Sequence, residues 1–242
     1  MKMMMTAQRL SALSCLLLLA ACGSTGAREL QYPAIGIGQD ALPIEDDQFS
    51  LQITRAQLAY GPAYFCQTAA ASPDLCPVAQ AELLFVTTID LLDPSEQPLG
   101  FVDSLPGVLG TTTYDLGWSW FPRDQQPRRA AGLEHSAEFE VTVVRKSDGA
   151  TRTFSLPLDL QPTIAGTRTV GATQISATVL DDQWQLQVAA DPRAWWEQVE
   201  CAELFALPPE VTTIPSEART AAILRQQITS GHPLAFAWVQ TP

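Results

Sequence analysis

The chain has 242 residues, with 14 Lys and Arg against 26 Asp and Glu and a formal net charge of −12. Nucleic-acid binding needs a basic footprint, so that partner class is excluded, and anionic lipid would repel so acidic a chain. All four Met lie at positions 1–5 and only two His are present, His135 and His232. Transition-metal sites are therefore poorly supplied with ligands, and no metal or other cofactor is expected.

Lys2 and Arg9 make the N-terminal region positive, and a mostly apolar run follows from Leu10 to Ala21. About twelve residues of helix would rise about 18 Å, well short of the roughly 30 Å of a bilayer core. Polar, small residues begin at once with Gly23, Ser24 and Thr25. The pattern is that of a secretory leader rather than a membrane span. It ends in Leu19-Ala20-Ala21-Cys22, which resembles the lipobox of bacterial lipoproteins. The resemblance implies cleavage before Cys22, acylation of the Cys22 thiol and further acylation of the new N-terminus. Two or more acyl chains hold a protein stably at a bilayer. Gly23 in place of Asp implies the outer membrane, on its periplasmic or its cell-surface side. Cleavage removes Lys2 and Arg9 but no acid, leaving 221 residues at a net charge of −14.

Residues 1–21 are thus expected to be a signal peptide. Residues 22–47 have scattered Gly and Pro and little periodicity, and are expected to be a flexible tether. Residues 48–242 are expected to form a single domain.

Phe49, Leu51 and Ile53 alternate with polar residues, and the apolar phase then shifts to Ala56, Leu58 and Tyr60. Such a shift predicts a β-bulge. Cys66 and Cys76 flank a short loop-like segment in an oxidising compartment, which predicts a disulfide worth about 2–3 kcal/mol. Cys201 is then left over as a buried small hydrophobe. Further strands are predicted around Leu83–Ile89 and Thr112–Trp120. Ala137–Val143 and Phe154–Leu158 alternate around Asp148-Gly149, a strong hairpin signal. Val170–Leu180, a turn at Asp181-Asp182, and Trp184–Val188 suggest a second hairpin.

Two helices are predicted near the end. One runs over "DPRAWWEQVECAELF", capped by Asp191 with Pro192 at its first position. The other runs over "PSEARTAAILRQQITSG", capped by Ser216 and stopped by Gly231. A last strand follows in "LAFAWV". Six or more strands without a βαβ rhythm give an all-β fold with minor α, an antiparallel β-sandwich carrying two helices in the C-terminal region.

Chemistry is sparsely signalled. No Gly-x-Ser-x-Gly elbow is present, and a lone His more often bonds a turn. Glu138 and Glu140 share one strand face at the roughly 7 Å spacing a glycosidase pair needs, but alternation puts that face in solvent. Most of the six Trp are expected in the core. Trp118 and Trp120 share one phase of "LGWSWFP" near a polar loop and suggest an indole platform, with His135 as a possible neighbour. The sequence therefore favours a non-enzymatic binding or scaffold module at the outer membrane. Its partners would be the membrane through its acyl chains, and an envelope protein or glycan. The alternatives are a small-ligand or metal-ion receptor of the periplasm and, less favoured, a carbohydrate-active hydrolase using Glu138 and Glu140.

A Cys22→Ser variant is expected to lose its lipid mass and to stop sedimenting with envelopes. Intact-mass spectrometry and fractionation read both, and continued sedimentation without lipid would refute the anchor.

Overall fold

The computed structural model describes residues 29–40, 42–68, 79–121, 123–181 and 183–241. Cys22 and Cys76 lie outside the described residues. The strands in chain order are β1 (Leu30–Ile37), β2 (Ile44–Glu45), β3 (Phe49–Tyr60), β4 (Ala63–Cys66), β5 (Ala81–Leu83), β6 (Thr87–Asp90), β7 (Glu96–Ser104) and β8 (Gly107–Tyr114). There follow β9 (Trp118–Ser119), β10 (Arg128–Arg129), β11 (Ala137–Arg145), β12 (Thr151–Leu158), β13 (Val170–Val179), β14 (Trp184–Ala189) and β15 (Ala235–Gln240). The fold is mostly β with minor α, as the sequence pattern requires.

The smaller sheet runs β12-β11-β3-β2, with β6 also on β3. Its hairpin is as predicted. Ala137 stands opposite Leu158 and Val144 opposite Thr151. Gly149 turns the chain at φ 71°, and Asp148 accepts from the Ala150 amide at 3.1 Å. The predicted bulge is also present. Glu140 faces Arg55 while Val141 faces Ile53, so Thr54 is passed over in the ladder. The bulge puts both Thr54 and Arg55 outside and lets Phe49, Leu51, Ile53, Ala56 and Leu58 all reach the core.

The larger sheet has eight strands in the order β13-β8-β4-β5-β7-β1-β14-β15. It curls until its last strand meets the far side of the same sheet. Phe236 packs on Tyr114 and Phe65, with ring centroids 5.3 and 6.0 Å apart. Trp238 meets Phe65 and Tyr32 edge-on at 5.4 Å each. The Leu234 amide donates to the Tyr114 hydroxyl at 2.9 Å. Between the sheets, Ile89 of β6 sits against Gly36 of β1, where a Cβ would come within 3.0 Å of it. Both sheets share one core.

Five sequence expectations need correction. The segment read as tether contains β1, which lies inside the large sheet. Leu30, Tyr32, Ala34 and Ile35 are buried, and β1 pairs with β7 and β14. Its burial comes from Leu30, Tyr32, Ala34 and Ile35, a short apolar stretch masked by Pro33, Gly36 and Gly38. The sheets are not wholly antiparallel, because β1 runs parallel to β14. A parallel pair requires a long crossover, and here the intervening domain supplies it. The strands predicted as a second hairpin exist, but β13 pairs with β8 while β14 pairs with β1 and β15. The chain thus passes from an edge strand, β13, to a strand inside the same sheet, β14.

The first predicted helix is two short ones, α1 (Pro192–Trp196) and α2 (Cys201–Phe205). Asp191 caps α1 as expected, accepting from the Arg193 amide at 2.9 Å. Trp195 and Trp196 are both fully buried against Phe139. Adjacent residues diverge by about 100° on a helix, so burying both indoles breaks the single apolar stripe. The chain turns and then buries Val199 and Cys201. The last helix, α3 (Arg219–Gln226), is capped at Ala218 rather than Ser216 and continues into a π-turn at Gln227–Gly231. Arg152 holds the segment after α2, donating to the carbonyls of Phe205 (2.9 Å), Leu207, Pro208 (2.7 Å) and Val211 (3.1 Å).

Tyr32 discriminates strand from tether. Tyr32→Ala is expected to cost about 3–5 kcal/mol in urea denaturation, as for other large buried aromatics. An unchanged midpoint would return residues 30–37 to the status of a spacer.

Candidate functional site

The site begins where β8 ends. Asp115 falls on the polar phase of "TTTYDLGW", between Thr113 and Gly117, yet its side chain is fully buried. It accepts from the Thr169 amide at 2.8 Å, the Thr169 hydroxyl at 3.1 Å and Arg168 Nη1 at 3.0 Å. Its backbone joins the same junction. The Asp115 amide donates to Pro62 O at 2.9 Å, and Gly61 N donates to Asp115 O at 3.0 Å. The Arg168 guanidinium lies between two rings, 4.2 Å from Tyr64 and 5.1 Å from Phe121. Burial pushes the Asp115 carboxyl up to about 6, and the donors of Thr169 and Arg168 oppose that rise.

Gly117 then swings the chain outward at φ 78°, where a Cβ would come within 2.6 Å of Leu133. Trp118 and Ser119 pair with Arg129 and Arg128 in a two-stranded ribbon. The pairing sets Arg129 across from Trp118, its guanidinium 4.6 Å from the indole centroid. The Trp120 indole N–H donates to Asp124 O at 3.0 Å, and Asp124 in turn holds Arg128 at 2.6 Å. Both indoles are thereby fixed, and both remain partly exposed.

Across from this ribbon runs the connection between β12 and β13. The two sides enclose a cleft of about 550 Å³ lined by Trp118, Trp120, Gln126, Gln161, Pro162 and Thr163. Gln161 and Thr163 also line an adjoining hollow of about 370 Å³, which Arg168, Thr169, Arg225 and Thr229 complete. The two adjoining hollows make a trough, with the indoles on one side and Asp159, Arg168 and Arg225 on the other.

His135 does not line this trough. Its Nδ1 lies 3.6 Å from Asp159, which also binds Arg129 at 2.8 Å. The histidine thus touches the platform only through the Asp159–Arg129 pair, and itself lines two smaller hollows of about 220 and 250 Å³. Glu138 and Glu140 stand on the outer face of β11, where Glu138 pairs with Arg55 at 2.8 Å and Glu140 accepts from Thr54 at 3.4 Å. Trp184 and Trp238 are partly buried against the core, and Trp195 and Trp196 lie within it. Among the described residues no group of three His, Cys, Asp or Glu could hold a metal ion. Cys201 is a buried free thiol, and burial pushes it up to about 11. Cys66 is buried at the end of β4, and its expected disulfide partner, Cys76, is one of the residues outside the description.

Comparison with family models, with curated proteins and with solved structures returns no match. Among the described residues no helix is long and apolar enough to cross a membrane.

Asp115 gives a pH signature. Its folded-state carboxyl takes up a proton at about pH 6, against an ordinary value of 3.8. The folded state therefore binds more protons between those values. The stability this group contributes is full below about pH 4 and is lost as pH rises through 6, by up to about 3 kcal/mol. In urea denaturation from pH 4 to pH 7, the stability of the wild type relative to Asp115→Asn is expected to fall across that window. A constant difference would contradict it.

Proposed function

We propose that this is a lipid-anchored, non-enzymatic binding module of the outer membrane. In this reading the Trp118–Trp120 trough takes a sugar ring of an envelope glycan. One observation carries it: two immobilised, partly exposed indoles side by side on one wall of a cleft. Indole faces stack on the apolar faces of sugar rings over a large contact area. Gln126, Gln161 and Thr163 supply the amides and hydroxyl that sugar hydroxyl groups need. The volume of about 550 Å³ lies in the usual range for small-molecule sites.

Placement supports the same reading. The trough sits beside the C-terminal end of β8 and the N-terminal end of β13. The chain enters the domain at Leu30, which pairs with Ser104 beside the opposite ends of those strands. An anchor attached through Cys22 would hold the sheet by one end and leave the trough at the other. A surface this acidic would help to keep that far end in solution.

Titration calorimetry of the full-length mature protein against neutral envelope oligosaccharides tests the reading. Trp118→Ala and Trp120→Ala are each expected to weaken binding about tenfold, equivalent to about 1.4 kcal/mol, with little change in melting temperature. Wild-type binding unaffected by either substitution, or no binding by the wild type, would refute it.

A further inference from the structure

We propose that the end of the large sheet where the chain enters seats on the bilayer interface through Leu105, Val108 and Leu180. This rests on the lipid-anchor reading and adds an orientation to it.

The three side chains belong to one corner. Ser104, the last residue of β7, pairs with Leu30 of β1 and with Ala81 of β5. Leu105 follows directly, and Val108 opens β8 two residues after Pro106. Val108 faces Thr178 across the β8–β13 ladder, and both are exposed. Leu180 lies two residues past Thr178, at the turn that leaves β13. Their relative exposures are 37% for Leu105, 55% for Val108 and 66% for Leu180.

The corner is held in place. Gln80 Nε2 donates to the carbonyls of Leu105 and Pro106 at 2.7 and 2.9 Å, and the Leu105 amide donates to Gln80 O at 3.0 Å. A Cβ at Gly107 would come within 2.9 Å of the same Gln80 side chain.

The length of the preceding chain selects the occupant. Six residues, and so seven Cα-to-Cα steps, separate Cys22 from Glu29. Fully extended they span at most about 25 Å, less than the thickness of a bilayer core. A thiol acylated in the membrane therefore keeps the Leu30 end of the sheet within that distance of the headgroups, whatever path the linker takes. Apolar side chains presented on that end meet the interface before any other part of the domain. Glu29 and Asp103 are exposed at the same end, and Asp181 adjoins Leu180. These carboxylates favour a zwitterionic surface over an anionic one. Ile164 and Phe121 are exposed near the trough, at the far end, and serve as internal controls.

The test uses the mature acylated protein on phosphatidylcholine vesicles, with a nitroxide at Val108→Cys or at Ile164→Cys. The label at 108 is expected to lose most of its accessibility to an aqueous nickel complex and to gain accessibility to oxygen. The label at 164 should stay aqueous. Leu180→Asp in the 108-labelled chain is expected to restore aqueous exposure. Flotation with the vesicles while both labels remain aqueous, or both become protected, overturns the seating and leaves the anchor standing. Failure of the acylated protein to float overturns the anchor, and the seating with it.

Discussion

The buried Asp115 carboxylate ties together the parts of the molecule that make a trough. Its oxygens bind Arg168 and Thr169 in the connection that forms one wall. Its backbone binds Gly61 and Pro62, where the chain passes from one sheet to the other. Two residues later Gly117 directs Trp118 into the opposite wall. A buried ion pair is weak evidence of net stability, because desolvation offsets much of the attraction. Removing one partner is a different matter, since it leaves an uncompensated buried charge. Asp115 and Arg168 are therefore best understood as fixing geometry. They cost burial energy and in return allow only one placement of the 159–169 connection.

The second constraint is the curl of the eight-stranded sheet. Phe65, Tyr114, Phe236, Trp238 and Tyr32 fill it with edge-to-face contacts, so β15 must lie opposite β4 and β8. The parallel insertion of β1 beside β14 then sets the polarity of the domain. The N-terminal end of β1 lies at the Leu105–Val108 corner, and the indole platform lies at the other end of β8. The chain-entry end and the trough end are thus set apart by strand direction, with no hinge or separate domain between them.

Much of this was legible where period-2 alternation was clean. The β11–β12 hairpin, the bulge at Thr54–Arg55 and the last strand followed from alternation, Asp148-Gly149 and the phase shift before Ala56. Strand partners were not legible when they lay far apart in sequence. Nothing local to "VLDDQW" tells that β13 is an edge strand while β14 lies between β1 and β15. The sequence "LQYPAIGI" looked like spacer because Pro and Gly weaken a strand signal, yet an interior β1 needs small residues where Ile89 approaches Gly36. Of the site, Trp118 and Trp120 were visible through their shared phase. The partners that hold them were not. Arg129 meets Trp118 through a two-residue ribbon, and Arg168 meets Asp115 across 53 residues of chain. Asp115 falls on the polar phase of its run, so alternation gives no sign that it is buried. His135 was misplaced because closeness in sequence to a strand start says nothing about which side of Asp159 it occupies.

Six indole N–H groups, distributed between trough and core, offer the most direct test of where ligand binds. Proton–nitrogen spectra of the mature protein would be recorded while oligosaccharides released from the envelope are titrated in. The Trp118 and Trp120 resonances are expected to shift together and saturate, while those of the buried Trp195 and Trp196 stay in place. Shifts confined to other indoles, or none at saturating oligosaccharide, would contradict the trough as the binding site.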